Sequence, residues 1–159
     1  MDNIRAISSA FEMALRILLL LSEVKNRSLT ITQICEIDFI SVYAADFGLL
    51  DENLHGHGTY RFSEFLARKS IVSTAVKNLV LRKRIRFKTS KKGYLFQITH
   101  EGLDFANKLK VSYAEEYRLA VETVVEAYRL SESHIKRYSG YLSIRFSTVS
   151  KLRTAFCLV

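Results

Sequence analysis

The sequence predicts a mostly helical α+β fold, built as a winged-helix domain. Apolar residues recur at three- and four-residue spacing through the first eighty positions, which is typical of amphipathic helices. Alternating apolar and basic residues follow, and helical spacing then returns. This order of three helices, a hairpin and a helix is that of a winged helix. The 159 residues are predicted to divide into a winged-helix-like domain over residues 1–130 and an appended segment over residues 131–159.

The first two predicted helices have recognisable boundaries. The first covers residues 8–25, where apolar side chains share one face. Thr30 and Gln33 have the spacing of a capping box, which predicts that a second helix opens there. Few charges interrupt that helix, so it should be buried on most sides until Gly48 ends it.

The third predicted helix follows a loop over residues 48–60 and a short turn that starts at Ser63. The helix extends to about Lys83 and places one apolar face inward. We expect its other face to meet solvent and to carry Arg68, Lys69, Ser73, Lys77 and Arg82.

The predicted hairpin begins where the periodicity changes from helical to alternating. Ile85 and Phe87 alternate with basic residues, which indicates a strand with one buried and one basic face. Gly93 supplies a positive φ in the turn, and residues 94–98 form the return strand. A fourth helix should follow, capped at its start by Thr99.

Positive charge is concentrated at this hairpin. The net charge is +8, but residues 61–92 alone carry eleven Lys or Arg against one Glu, and residues 129–159 carry six against one. Such a block favours a phosphate-bearing or acidic partner, although a solvated basic face would show the same composition. The candidate contact residues for nucleic acid or an acidic partner are Arg82, Lys83, Arg84, Arg86, Lys88, Lys91 and Lys92.

Base-specific DNA recognition has less support than contact with phosphates. The third helix offers no series of Arg, Asn or Gln side chains aimed at base edges. About fifteen residues connect it to the second helix, whereas a helix-turn-helix reader uses a turn of about three or four. Non-specific DNA contact and docking of a protein both remain open for the basic hairpin.

The sequence shows no catalytic, metal or cofactor motif. His55 and His57 are two imidazoles in one loop, but a stable metal site needs three or four ligands. Cys35 lies in an apolar helical pattern, and no nucleophile elbow or phosphate-binding loop is present. We therefore expect a protein that is not an enzyme and that has no metal or cofactor. The low cysteine content favours the cytoplasm, and no apolar run is long enough to cross a membrane.

The last part of the chain is predicted to form an apolar and basic docking segment. Ser112 and Glu115 have capping-box spacing, so a long helix should run from there to about residue 130. The segment beyond it mixes apolar and basic residues and is too apolar for a disordered tail. It either docks on another chain or folds back on its own core. The candidate docking residues are Tyr138, Tyr141, Leu142, Phe146 and Phe156.

Six short stretches together resemble one protein family, the small middle component of bacterial ABC three-component systems. That family includes the middle components of Lamassu-type anti-phage defence operons. The resemblance covers about residues 10–130. The stretches are residues 39–43, 54–55, 65–69, 93–94, 112–114 and 120–121.

The resemblance implies a non-catalytic subunit that works with an SMC-like coiled-coil ATPase and an effector such as a nuclease. In such an anti-phage or anti-plasmid complex, the middle component would link the ATPase heads to the effector. It would also help to hold the effector inactive until DNA is sensed. The competing hypothesis is a free-standing winged-helix DNA-binding transcriptional regulator.

Overall fold

The computed structural model describes residues 9–56, 61–91 and 93–127, and for residues 61–64 and 66 it describes the backbone alone. The prediction of a mostly helical α+β fold with one hairpin is confirmed for this part of the chain. The elements are α1 (Ala10–Glu23), α2 (Ile31–Val42), a 3-10 helix (Ala44–Phe47), α3 (Arg61–Leu81), β1 (Ile85–Ser90), β2 (Gly93–Ile98), α4 (His100–Lys108) and α5 (Ser112–Ala127).

The centre of the domain is formed by α1 and α2, which both pack against α3 and α5. The predicted capping box is confirmed: the Thr30 hydroxyl accepts from the Gln33 amide, and the Gln33 side chain accepts from the Thr30 amide. Every residue from Ile34 to Ala44 is buried. The prediction that this helix is buried on most sides is therefore confirmed.

The second helix ends earlier than predicted. It stops at Val42, and a short 3-10 helix carries the chain to Gly48, which has a φ of 69°. The physical cause is the side chain of Asn53: its Oδ1 accepts from the Ala45 amide at 2.9 Å, and its Nδ2 donates to Asp46. Because the Ala45 amide is held by a side chain, it is not used to continue the α-helix.

The predicted turn at Ser63 is wrong, because α3 is one continuous helix of 21 residues from Arg61 to Leu81. No Gly or Pro interrupts the chain between these two residues. The helix therefore extends through the position where the turn was predicted.

A left-handed residue ends α3. Lys83 has a φ of 56°, its amide donates to the Val80 carbonyl, and the Arg84 amide donates to the Leu79 carbonyl. This is the pairing of a Schellman motif, in which glycine is the usual residue at the left-handed position. A lysine side chain is strained there, since its Cβ approaches the following carbonyl oxygen.

Replacement of that lysine by glycine should stabilise the protein. We expect Lys83→Gly to raise the free energy of unfolding by about 0.5–1 kcal/mol, because glycine removes the left-handed strain. Urea titration measures the change. Lys88→Gly is the matched control: it places glycine in a strand and should lower the free energy of unfolding by about 0.5–1 kcal/mol. Equal effects of the two variants would contradict this interpretation of Lys83.

The hairpin has a definite register, but the predicted buried face of β1 is confirmed only at Ile85, because Phe87 is 53% exposed. Ile85 pairs with Ile98 and Phe87 with Phe96, so that these side chains share one face. Gly93 has the predicted positive φ, at 98°. On the outer side of β2, Leu29 forms a single bridge with Phe96, through backbone hydrogen bonds of 2.8 and 2.9 Å.

The last two described helices agree with the predictions except at one cap. The Thr99 hydroxyl accepts from the Gly102 amide and caps α4, as predicted. The capping box predicted at Ser112 is wrong: Ser112 lies in the first turn of α5, and its hydroxyl donates to Glu116. No helix in the described ranges is long and apolar enough to span a membrane. The predicted boundary at residue 130 lies outside those ranges and stays a prediction.

Candidate functional site

A buried carboxylate lies where four helices meet. Asp38 of α2 is completely inaccessible to solvent. Arg16 of α1 places its Nη2 at 3.1 Å from Oδ2 and its Nε at 3.0 Å from Oδ1. Arg68 of α3 donates from Nη1 to Oδ2, and Tyr117 of α5 donates its hydroxyl to Oδ1 at 2.8 Å. We call Asp38 and these three partners the Asp38 cluster.

Arg68 was predicted to lie on the solvent face of its helix, and this prediction is wrong. The side chain is only 7% exposed, and its guanidinium lies over the rings of Phe39 and Tyr43, 5.4 and 5.7 Å from their centroids. Aromatic faces and a carboxylate together compensate the cost of burying this cation. Lys69, Lys77 and Arg82 are exposed, as expected.

His55 joins the cluster from the loop after α2. Its Nε2 lies 3.1 Å from Arg16 Nη1 and 2.9 Å from the Tyr113 hydroxyl, and its ring stacks on Tyr113. Because arginine can only donate, Nε2 accepts and the ring is neutral, with its proton on Nδ1. His55, one of the two histidines considered as metal ligands, therefore acts as a hydrogen-bond acceptor inside a packed cluster, and His57 lies outside the described residues. Among the described residues, no three His, Cys, Asp or Glu side chains come together as a metal site.

The charges of the cluster set the direction of each pKa shift. Burial alone would raise the pKa of Asp38, but the attraction of Arg16 and Arg68 and the hydrogen bond from Tyr117 hold it below its ordinary value. Burial raises the pKa of Tyr117, and the neighbouring Asp38 carboxylate raises it further. Asp38 is therefore ionised and Tyr117 is protonated at neutral pH, as their hydrogen bond requires.

The Asp38 cluster fixes the helices relative to one another, and its carboxylate is not accessible to a substrate. Both oxygens of Asp38 are occupied by donors from the protein, so neither is available as a base. Cys35 lies buried on the same helix, and burial raises the pKa of its thiol to about 12. A thiol with this pKa is protonated at neutral pH and is a poor nucleophile.

Protonation of His55 should destabilise the fold. Burial, together with Arg16 and Arg68, lowers the pKa of His55 from 6.5 to about 4. The unfolded chain therefore binds a proton below about pH 6.5 that the folded chain does not bind, and stability is lost as the pH falls toward 4. Since the ring is partly exposed, we expect a loss of about 2 kcal/mol.

Denaturant unfolding between pH 7.5 and pH 4 measures this loss. His55→Gln should be less stable at neutral pH but should flatten the pH profile. His100→Gln, on the exposed first turn of α4, is the matched control and should keep the slope of the original protein. An unchanged slope in His55→Gln would show that another group causes the loss.

The candidate contact residues of the hairpin differ in their surroundings. Arg82, Lys83, Lys88 and Lys91 are exposed. Arg84 is half-buried: it donates to the Glu101 carbonyl at 2.9 Å, and its guanidinium lies 5.0 Å from the ring centroid of Phe105.

The remaining candidates divide between the basic face and the undescribed part of the chain. Arg86 is exposed and donates to Gln97 of the neighbouring strand. Cations with few or no contacts in the described ranges thus lie at the end of α3, on β1 and at the turn. Outside the described residues lie Lys92 and the candidate docking residues Tyr138, Tyr141, Leu142, Phe146 and Phe156.

The Asp38 cluster was not predicted from the sequence, although one signal for it was present. Glu36 and Asp38 are two acidic residues within a helical run that is mostly apolar, and a buried carboxylate needs a partner. Four of the six stretches that carry the family resemblance meet here. Residues 39–43 and 65–69 surround Arg68, and residues 54–55 and 112–114 supply the stacked His55 and Tyr113.

The fold and this site define a small helical domain that fixes its helices by a buried charge cluster and exposes cations on a hairpin. A family model for the ABC-three component (ABC-3C) system Middle Component 2 matches residues 6–146. The chain belongs to this family, so the resemblance seen in the sequence is confirmed. The chain matched no curated protein and no solved structure.

Proposed function

We propose that the protein is a non-catalytic bridging subunit of an ABC three-component complex. It links the heads of an SMC-like ATPase to an effector such as a nuclease, within a cytoplasmic anti-phage or anti-plasmid defence system of the Lamassu type. Family membership carries this proposal, because a middle component works with the other components of its system.

The structure supports a binding role in two ways. The element order, with the hairpin directly after α3, supports a winged-helix type of domain, a fold that presents one helix and one hairpin to a partner. The ionised groups of the Asp38 cluster bond to one another, whereas Lys83, Lys88 and Lys91 at the hairpin are exposed to solvent. The exposed cations are therefore free to bind a partner, whereas the buried charges stabilise the packing of the helices.

Co-purification with the other components tests this function. We expect the protein to elute in one complex with the ATPase and the effector when the three components are expressed together. Each partner expressed without this subunit should fail to join the other. A protein that elutes alone at micromolar concentration beside both partners would refute the bridging function.

The exposed hairpin cations would also provide auxiliary, non-specific contacts to DNA phosphates. We expect Lys88→Ala/Lys91→Ala to weaken binding of a DNA duplex, because two phosphate contacts are lost. The slope of the logarithm of the binding constant against the logarithm of the salt concentration should fall in magnitude by about two. Lys108→Ala/Lys110→Ala, also exposed, is the matched control and should change neither quantity. Tight, sequence-preferring duplex binding by the isolated protein would favour the free-standing regulator instead.

A further inference from the structure

An open apolar groove of about 460 Å³ lies between α3 and the hairpin. The buried side chains of Val76 and Phe96 line it together with the exposed side chains of Leu81, Phe87 and Tyr94. Its volume lies within the range of about 300–1,000 Å³ that is typical of ligand pockets. The groove is separate from the Asp38 cluster, with which it shares no residue.

Exposed apolar side chains are concentrated at this groove. In the part of the chain that the structure describes, six large apolar side chains are more than half exposed, and three of them line the groove. Leu81 is the most exposed of all, at 80%. Contiguous apolar surface of this kind marks an interaction site more often than isolated exposed residues do.

The surroundings of the groove are positive. Residues 69–99 contain nine Lys or Arg and no Asp or Glu. Lys77 lines the groove itself, and Arg82 directly follows Leu81, whereas Lys88 lies on the opposite face of β1 from Phe87. An occupant with apolar and acidic side chains would therefore satisfy both the apolar lining and the charge around it.

Charge excludes the chain's own C-terminal segment as the best occupant. Residues 129–159 are apolar enough to enter the groove, but they carry a net charge of +5. Juxtaposition of like charges would oppose their docking beside Lys77. A DNA duplex fits the charge but not the apolar lining, because its recognition relies on polar contacts to phosphates and base edges.

We infer that the groove between α3 and the hairpin binds an acidic amphipathic helix of another subunit of the complex. A helix fits better than a strand, because the exposed strand β1 carries Arg86 and Lys88, and charged edge strands disfavour pairing. The apolar face of the helix covers Leu81, Phe87 and Tyr94, and its acidic flank meets Lys77. The inference rests on the proposed function for the identity of the partner, but not for the chemistry of the groove.

A synthetic peptide tests the groove without the complex. The probe is a fluorescein-labelled helix of about 16 residues, with Leu at three- and four-residue spacing and Glu at the remaining positions. Fluorescence anisotropy should show binding that Leu81→Glu weakens about 10-fold or more, since the variant places a charge in the apolar lining. Leu119→Glu, at a comparably exposed position of α5, is the matched control and should change binding less than about 2-fold.

Charge-reversal variants test the attraction between the groove and an acidic peptide. Lys77→Glu should weaken the acidic peptide about 10-fold and lower the salt dependence, whereas Lys108→Glu should do neither. A peptide with Lys in place of Glu should bind at least 10-fold more weakly than the acidic peptide. Both Leu81→Glu and Lys77→Glu alter exposed side chains, so circular dichroism should confirm that both variants fold.

The complex with its ATPase and effector supplies the second test. Leu81→Glu should weaken assembly about 10-fold, and Leu119→Glu should not. Normal assembly of Leu81→Glu would refute the groove and leave the bridging function standing. Peptide binding without any assembly would refute the bridging function and leave the groove standing. Failure of the peptide to bind, with duplex DNA binding lost in Leu81→Glu, would assign the groove to DNA and overturn the inference.

Discussion

Asp38→Asn should destabilise the protein strongly, with a loss of about 3–5 kcal/mol in the free energy of unfolding. Asparagine has the shape of aspartate, so no cavity forms. The loss arises because Arg16 and Arg68 remain buried without the carboxylate that compensates their charge. A domain of this size has a total stability of about 5–15 kcal/mol, so a large share of it is removed.

Urea unfolding followed by circular dichroism measures this loss, and Glu23→Gln is the matched control. Glu23 forms an ion pair of 2.7 Å with Arg118, but both side chains are partly exposed. Its loss should therefore cost less than about 1 kcal/mol. Similar losses in the two variants would show that burial does not strengthen the Asp38 cluster.

A triple substitution separates the charge effect from a packing effect. Arg16→Met/Asp38→Leu/Arg68→Met removes the three buried charges and should recover much of the stability lost in Asp38→Asn, because Glu12, the remaining partner of Arg16, is partly exposed to solvent. If the triple variant were as unstable as Asp38→Asn, the specific hydrogen bonds of the cluster would be the stabilising factor.

Gly102→Ala should destabilise the protein by about 2–3 kcal/mol, opposite in sign to the usual effect of this substitution in a helix. A Cβ atom at residue 102 would overlap the carbonyl oxygen of Arg84 and touch Ile98. That carbonyl cannot easily move, because it accepts from the amide of Thr99 at 3.0 Å and from its hydroxyl at 2.9 Å. The clash therefore outweighs the gain in helix propensity of about 1 kcal/mol.

Thermal or urea unfolding checks the sign of this effect. Asn107→Ala, at an exposed position of the same helix, is the matched control and should change the stability by less than about 0.5 kcal/mol. A stabilising Gly102→Ala would show that α4 can move away from the base of the hairpin without cost.

Local features of the fold could be predicted from the sequence because the interacting residues are neighbours in the chain. The capping box at Thr30, the cap at Thr99 and the alternation from Ile85 to Ile98 each depend on residues a few positions apart. Even local patterns fail where a more distant side chain competes. Asn53 ended the α-helix early in this way.

The site could be predicted only in part, because its contacts join residues far apart in the sequence. Asp38 meets Tyr117 across 79 positions, and no periodicity reports such a pairing. Arg68 was placed on the solvent face because charged residues are mostly exposed, and a partner on another helix reverses that rule. The exposed hairpin cations required no such pairing, so their charge could be read from composition alone.

The continuity of α3 has a mechanical consequence. The helix is anchored at Arg68 by the Asp38 cluster, and thirteen residues later it ends at Leu81 beside the hairpin. At 1.5 Å per residue, the part of α3 from Arg68 to Leu81 is about 20 Å long, so a tilt of about 10° at Arg68 would displace Leu81 by about 3 Å. A small movement of α1, α2 or α5 at the Asp38 cluster would therefore cause a larger displacement of Leu81 at the C-terminal end of α3.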